Sequence, residues 1–324
     1  MVRSSADERT TRAAARALYR ALVEPAEPLL KGVKHLVVAP DGPLALVPFE
    51  ALLARDVAEG APVPKGAWLV ERFDVSYTPS ATALATRAGE AAGRGIVALG
   101  DPRFAPDSAA APAAEGGAGA PAPGSGTAVA PALAPLPNTA VEVAALRSLA
   151  GTRPIETLTG AGATRAGLLA ALARGRPQLV HLATHGVADE VEPRRSGLWL
   201  AWDGAAPGFL PVGDVLALRL DADLVTLSAC ETGTGRLERG EGVLGLARAF
   251  LAAGGRSVVV SLWKVNDRST AALMERFYRP LLTRGVPRES ALAGAKRALL
   301  ADAETRSPFY WAPFVLVGAG GPVR

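Results

Sequence analysis

Two short segments of the sequence combine residue types that can perform nucleophilic chemistry. Residues 181–186 read HLATHG, and residues 227–233 read LSACETG around Cys230, which is the only cysteine of the chain. A thiol becomes an effective nucleophile when a nearby imidazole raises its thiolate fraction, and the imidazole can then protonate a departing amine. If folding brings His185 and Cys230 together, the chemistry is that of a cysteine hydrolase.

Both segments follow continuous apolar runs, LVHLA before His185 and LVTLS before Cys230. Such runs are typical of parallel strands that are covered on both faces. The loops at the carboxyl ends of parallel strands converge at one edge of the sheet. We therefore expect the imidazole and the thiol to leave the sheet at the same edge, and to meet there if the two strands are neighbours.

Backbone N–H groups near these side chains are candidates for stabilising a developing oxyanion. Gly186 has no side chain to block an approaching carbonyl, and its N–H together with that of Cys230 forms the predicted oxyanion hole. The glycine-rich residues 233–242, GTGRLERGEG, precede a predicted helix and could also support negative charge. That loop lacks the GK[ST] ending of a phosphate-binding loop, which disfavours nucleotide binding.

Other readings of the same residues remain open at this point. In a strand, His181 and His185 are about 13 Å apart, too far to share a metal, and the glutamate of an HExxH zinc motif is absent. His181 is therefore predicted to be a core histidine with a hydrogen-bond partner. A lone buried cysteine is commonly only a small apolar residue, so Cys230 has a purely structural alternative. No GxSxG motif suggests a serine hydrolase.

The composition predicts a soluble, cytoplasmic globular protein. The 324 residues are 49% apolar and carry a net charge of +4. The arginines are scattered, which argues against direct nucleic-acid binding, and no apolar run is long enough to span a membrane. A single cysteine excludes an internal disulfide and a cysteine-based metal cluster. We predict neither a metal nor an organic cofactor.

The pattern along the chain predicts one α/β sandwich interrupted by a linker. Residues 1–102 form a helix- and strand-rich N-terminal half, with a helix at about 10–23, a strand over 35–40 and a strand over 68–80. Residues 103–137 are rich in alanine, proline and glycine and are expected to form a flexible linker or loop. Residues 138–324 alternate strands and helices around a mostly parallel sheet and carry both HLATHG and LSACETG.

Five ordered blocks of the sequence resemble the CHAT domain of bacterial caspase-like cysteine peptidases, which are related to caspases and separases. The blocks are HLVVAPDGPLALVPFEALL, LVHLATHG, LVTLSACETGTG, RGEGVLGLARAFLAAGGRSVVVSLWKVND and SPFYWAPFVLVG. The resemblance implies a caspase-like α/β/α fold with His185 and Cys230 as a catalytic dyad. It places the oxyanion hole at Gly186 and Cys230, and it implies cleavage of a protein substrate without a cofactor.

The resemblance also implies a biological setting. CHAT peptidases are often fused to tetratricopeptide repeats and act in bacterial defence or regulated cell death, for example by cutting gasdermin-like proteins. No 34-residue repeat is visible here. The chain is then either a stand-alone form or the catalytic end of a longer protein, with an activating or repeat-containing regulatory partner elsewhere.

Substrate-binding residues are predicted mainly from the same resemblance. Asp267 lies where separase-like relatives place an acid for a basic P1 side chain, although it could equally cap the helix that begins there. Trp263 is a candidate wall of that pocket, or an ordinary core residue. Glu231 is a further candidate for binding basic substrate residues. The alternative function is a non-catalytic interaction module of the same fold that docks a partner protein.

Overall fold

The computed structural model describes most of the chain: residues 5–58, 61–80, 82, 93–105, 133–187, 189, 193–204, 206–228, 230–231, 241–263 and 267–323. Side chains are described from residue 9 onwards, except at residues 230–231 and 241–243, where the description covers the backbone. The greater part of the predicted linker, 106–132, lies outside these ranges.

Eight strands in the described part of the chain form a central sheet in the spatial order β1-β2-β12-β11-β9-β5-β3-β4. All neighbours are parallel except β11 and β12, which are antiparallel. The strands are β1 His35–Val38, β2 Asp74–Tyr77, β3 Ile96–Pro102, β4 Ile155–Gly160, β5 Leu179–Leu182, β9 Leu224–Leu227, β11 Ser257–Ser261 and β12 Phe314–Gly318.

Helices cover both faces of this sheet and leave its inner strands buried on both sides. The α-helices are α1 Ser5–Leu22, α2 Leu69–Arg72, α3 Pro137–Leu149, α4 Arg165–Gly175, α5 Val212–Ala217, α6 Glu241–Ala252, α7 Asp267–Arg284, α8 Arg288–Ala301 and α9 Pro308–Trp311. Neighbouring strand residues alternate between two apolar clusters: Val180 and Val225 pack on the side of α4 to α6, while Leu179 and Leu224 pack on the side of α3, α7 and α8. Two buried faces require apolar residues at every strand position, which is why these strands read as continuous apolar runs.

A second, smaller sheet lies beyond the carboxyl ends of the central strands. Its order is β10-β6-β7-β8, with β10 parallel to β6 and the other pairs antiparallel. Its strands are β6 His185–Val187, β7 Gly197–Trp202, β8 Pro207–Pro211 and β10 Cys230–Glu231. The chain thus passes from the central sheet into the small sheet twice, after β5 and after β9.

One local prediction is wrong. Residues 68–80 were expected to form one strand, but Leu69–Arg72 is a helical turn and the strand begins only at Asp74. The carboxylate of Glu71 accepts a hydrogen bond from Trp68 N at 3.1 Å, which satisfies a donor at the start of this turn and favours it over an extended chain. The first α-helix ends at Leu22, close to its predicted end, and a separate 3₁₀ helix follows over Glu24–Leu30.

Strands from both sides of the predicted linker interleave in the central sheet. From the N-terminal part, β2 pairs with β12, and β3 lies between β4 and β5. The two halves therefore share one sheet and one core.

Candidate active site

The backbone of Cys230 pairs in register with that of His185. The pair Cys230–Glu231 runs parallel to His185–Gly186, so each residue of one segment has a direct partner in the other. Neighbouring strands lie about 4.8 Å apart. Each segment follows a central strand, β9 or β5, after a connection of two residues. The parallel neighbours β5 and β9 thus deliver both residues to the same edge.

The imidazole of His185 is buried and held from one side by residues that flank 106–132. Its Nε2 lies 2.7 Å from the carbonyl oxygen of Ala134, and its ring lies 5.2 Å from that of Phe104, centre to centre. A carbonyl oxygen can only accept, so Nε2 carries a proton. In the neutral imidazole this leaves Nδ1 as the basic nitrogen.

Helix α3 begins immediately beside this contact and approaches the end of β3 closely. The N–H of Asp101 donates to Thr139 Oγ1 at 2.6 Å. A Cβ at Gly100 would lie only 2.6 Å from the carbonyl oxygen of Thr139, so the approach requires glycine there. The backbone of Asp101 has a φ of 47°, at the irregularity in the pairing of β3 with β4.

Two carboxylates, those of Asp101 and Asp267, lie at this end of α3. Asp267 Oδ2 accepts a hydrogen bond from Asn138 N at 3.1 Å, so Asp267 satisfies a donor in the first turn of α3 while it begins α7. Burial, followed by the negative charge of Asp267, raises the pKa of the Asp101 carboxyl, and Arg103 lowers it in part. The carboxyl edge of the central sheet is therefore acidic as well as apolar near the start of α3.

His181 is a core histidine with a hydrogen-bond partner, as predicted. It is fully buried, its Nδ1 lies 3.0 Å from the hydroxyl of Tyr278, and the two rings meet edge to face. Burial raises the pKa of that Tyr278 hydroxyl. His181 belongs to the central sheet and His185 to the small one, so the two histidines of HLATHG have different surroundings.

The remaining predicted site residues are distributed more widely. Gly186 is buried in β6 and is the register partner of Glu231 and of Leu198. Trp263 is half-buried and donates from Nε1 to the carbonyl of Phe309 at 3.2 Å. It lines an apolar cavity of about 520 Å³ between α1 and α9, and Asp267 is not among the residues lining that cavity. Residues 232–240 of the glycine-rich loop lie outside the described residues.

Two features near His185 were not predicted. One is the pair of residues that contact its imidazole, and the other is the buried carboxylate of Glu142. Ala134 and Phe104 lie in or beside an alanine- and proline-rich stretch that has no periodic pattern, so nothing pointed to them. Glu142 did leave a signal. Together with Thr139, Val143 and Leu146 it forms the buried stripe of α3 at helical spacing, so a carboxylate interrupts an otherwise largely apolar face.

The residues that the structure describes contain no group of three or more His, Cys, Asp or Glu side chains arranged to hold a metal ion. They also include no helix that is long and apolar enough to cross a membrane.

Comparison with known structures identifies related folds. The complex of the pro- and mature domains of Porphyromonas gingivalis RgpB matches with a TM-score of 0.54 at 10% identity, covering 95% of this chain and 69% of that chain. The Saccharomyces cerevisiae separase–securin complex matches with a TM-score of 0.50 at 14% identity, covering 85% of this chain and 15% of that chain. At such low identity these matches show a shared caspase-like fold.

Comparison of sequences identifies mammalian relatives. Tetratricopeptide repeat protein 28 of Homo sapiens is 26% identical over 352 residues, covering 94% of this chain and 13% of the relative. The Mus musculus protein of the same name is 36% identical over 110 residues, covering 34% of this chain and 4% of the relative. The chain thus spans only a small part of these relatives. The model of the CHAT domain matches residues 12–319, and the chain therefore belongs to the CHAT domain family.

Proposed function

We propose that this protein is a cysteine endopeptidase in which Cys230 and His185 form the catalytic dyad. The observation that carries the proposal is the in-register pairing of the Cys230 and His185 backbones at the carboxyl edge of the central sheet. Ligands of open parallel sheets bind at that edge. Register partners on neighbouring strands share one face of the sheet, which supports a direct proton transfer between the thiol and the imidazole in the proposed reaction.

The protonation state of His185 defines its role in the proposed reaction. Because Nε2 is held by the Ala134 carbonyl, Nδ1 accepts the proton of the Cys230 thiol as sulfur attacks the peptide carbonyl. The carbonyl oxygen becomes an oxyanion, bound by the N–H groups of Gly186 and Cys230. Nδ1 then gives its proton to the amine that leaves, and a thioester remains. Water, deprotonated by the same nitrogen, attacks the thioester, releases the acid and restores the thiol.

The proposed substrates are proteins with a basic residue before the cleaved bond. The carboxylates of Asp101 and Asp267 lie close enough at the start of α3 for the charge of one to raise the pKa of the other, and two acids favour a cationic side chain between them. One structure of the same fold is that of gingipain R, an arginine-specific cysteine proteinase, with a TM-score of 0.51 at 11% identity. Glu231, next to Cys230, is a third proposed contact. The role of Trp263 as a pocket wall stays a prediction.

The proposed setting is control of a protein effector in bacterial defence or regulated cell death, in the cytoplasm, with gasdermin-like proteins as example substrates. The two curated relatives are named for tetratricopeptide repeats, and the separase match is a complex with securin. Both support a protein partner that regulates the site, and neither suggests nucleic acid.

A second candidate function is a non-catalytic module that docks a protein partner. The observation in its favour is that the matched region makes up only 13% of the human tetratricopeptide repeat protein. Such a large repeat protein can use a caspase-like domain as a scaffold. The intact His185 and Cys230 favour catalysis.

The reactivity of Cys230 separates the two candidates, because it is the only thiol in the chain. With a thiol-directed electrophile, an activated Cys230 should react faster than free cysteine, with a pH midpoint below about 8.5. His185→Ala should abolish this excess rate. A docking module should react no faster than free cysteine, and the assay should be repeated with candidate activating partners present.

Cleavage of a cognate protein is the direct test. Cys230→Ala and His185→Ala should each abolish cleavage while the circular dichroism spectrum is unchanged. Continued cleavage by purified Cys230→Ala protein would refute the assignment.

A further inference from the structure

A buried hydrogen-bonded network lies directly behind the two strand ends that lead to His185 and Cys230. It consists of five side chains that are each at most 5% exposed: Glu142, His181, Thr226, Ser228 and Tyr278. The proposed chemistry uses none of them. Buried ionisable groups are costly to fold around, so this arrangement calls for an explanation.

The network is centred on one oxygen of Glu142. Its Oε2 accepts a hydrogen bond from Ser228 Oγ at 2.8 Å and lies 3.3 Å from Nε2 of His181. On the other side of the imidazole, Nδ1 lies 3.0 Å from the hydroxyl of Tyr278, and that hydroxyl donates to Thr226 Oγ1 at 2.6 Å. The second oxygen of Glu142, Oε1, is buried and has no hydrogen-bond partner among the described residues, and the 3.3 Å contact between Oε2 and Nε2 of His181 has an ion-pair distance without the geometry of a hydrogen bond.

The donors and acceptors of these hydrogen bonds determine the net charge of the network. Because the Tyr278 hydroxyl donates to Thr226, its oxygen accepts from His181, and Nδ1 carries a proton. Nε2 then faces a carboxylate oxygen, and two lone pairs at 3.3 Å would repel. One further proton therefore lies on His181 or on Glu142. In either form the pair has no net charge, which removes the main penalty of its burial.

The network joins the helices on one face to both catalytic strand ends. Ser228 is two residues before Cys230, and His181 is four residues before His185. Glu142 contacts both and belongs to α3, the helix that begins three residues after Ala134. A single side chain thus links the segment that holds the His185 ring to the segment that leads into Cys230.

We propose that Glu142 is a positioning residue for the dyad, acting through Ser228 on Cys230 and through His181 on the strand that leads to His185. This inference rests on the proposed function. Misplacing a reacting group by about 1 Å can lower the rate about a hundredfold. Loss of the Glu142 contacts should therefore reduce the chemical step and leave substrate affinity unchanged.

The test compares Glu142→Gln and Ser228→Ala with a matched control. Gln keeps the size of Glu142, but none of its terminal atoms can both accept from Ser228 and donate a proton to Nε2 of His181, so at least one of the two contacts is lost. Ala at 228 removes only the link to Cys230. The control is Asp223→Asn, which neutralises a buried acid at the opposite, amino end of β9, where Asp223 contacts Gln178 at 3.2 Å. Each protein is compared by melting temperature, kcat, KM and the alkylation rate of Cys230 across pH.

Both network variants should show a kcat and a Cys230 alkylation rate at least about tenfold below wild type, with KM within twofold. Asp223→Asn should retain both rates, although its melting temperature should be similar to those of the two network variants. The proposal is overturned if Glu142→Gln reacts and turns over as wild type does. It is equally overturned if Asp223→Asn loses as much of both rates, because the effect would then be general destabilisation.

Backbone hydrogen exchange separates this proposal from the proposed function. If the wild-type protein proves not to be a peptidase, the amides of residues 228–231 should still exchange faster in Glu142→Gln and Ser228→Ala than in wild type or Asp223→Asn. Unchanged exchange there would overturn the positioning role independently of activity.

Discussion

The carbonyl oxygen of Ala134 accepts a hydrogen bond from Nε2 of His185 at 2.7 Å, across 51 residues of sequence. This contact fixes one tautomer of the neutral imidazole, in which Nδ1 is the unprotonated nitrogen. A peptide carbonyl cannot be deprotonated, so it orients the ring without adding a charge beside it.

The tautomer can be measured directly. We expect nitrogen NMR of the protein with labelled histidine to show His185 protonated at Nε2 in its neutral form. His181 should also be distinguishable, because its Nδ1 faces the Tyr278 hydroxyl. A neutral His185 protonated at Nδ1 would contradict the role given to Ala134 and would leave the wrong nitrogen for the thiol.

Much of the central sheet could be predicted because its strands are buried on both faces. The apolar runs at Leu179–Leu182, Leu224–Leu227 and Ser257–Ser261 are typical of such strands, and all three lie in the central sheet. The rule that loops converge at the carboxyl ends of parallel strands predicted that His185 and Cys230 leave the sheet at one edge, and the structure adds that β5 and β9 are neighbours.

The small sheet and the surroundings of His185 could not be predicted. Strands β6 and β10 have three and two residues, too few for a periodic pattern, and their pairing depends on the larger sheet that delivers them. The contact between His185 and Ala134 joins distant segments through a backbone carbonyl oxygen. Every residue type has this atom, so the sequence could not indicate the contact. At Leu69–Arg72 the apolar run resembled a strand because both faces of the helical turn are partly covered.

Asp267 is predicted to select basic substrates. Asp267→Asn is the sharpest variant, because the amide oxygen can still accept from Asn138 N and preserve the start of α3, whereas the charge is lost. For a buried charge pair we expect a cost of about 2 kcal/mol or more, roughly a thirtyfold fall in kcat/KM for Lys or Arg at P1.

Peptide-library profiling measures this effect, with Asp267→Ala as the companion variant that also removes the acceptor. The profile for neutral P1 residues should be unchanged in Asp267→Asn. An unaltered basic preference in both variants would remove Asp267 from the substrate pocket and leave it only the structural role at α3.

Asp101 is predicted to reduce stability at neutral pH. Burial and the charge of Asp267 raise the pKa of its carboxyl above the ordinary value of 3.8, so the folded state binds a proton more readily than the unfolded state. The free energy of unfolding therefore falls as pH rises through this range. Asn at this position cannot ionise, and it tolerates the positive φ.

Asp101→Asn should therefore be more stable than wild type at pH 7, by a few tenths to about 1 kcal/mol for a partly exposed site. The difference in stability should disappear below pH 3.8, because the side chain at position 101 is then uncharged in both proteins. Denaturant unfolding at the two pH values measures it, with Asp41→Asn at an exposed turn as control. A gain of equal size at both pH values would show that charge is not its cause.

Lys296 and Glu50 form a buried ion pair that should be costly to break. Nζ of Lys296 lies 2.5 Å from Oε1 of Glu50, and the two side chains are 1% and 2% exposed. The hydroxyl of Tyr77 donates to the other carboxylate oxygen. Burial lowers the pKa of the Lys296 ammonium, and the charge of Glu50 partly offsets this. Lys296→Met leaves Glu50 without its counter-charge and should cost about 3–5 kcal/mol.

The double variant Lys296→Met with Glu50→Gln tests the cause of that loss. It removes both charges and keeps a group that can accept from Tyr77, so it should recover most of the stability. Arg279→Met is the control, since its exposed partner Glu275 lies at i−4 on α7 and an exposed pair contributes at most about 0.5 kcal/mol. If the double variant is no more stable than Lys296→Met, lost packing rather than an uncompensated carboxylate explains the effect.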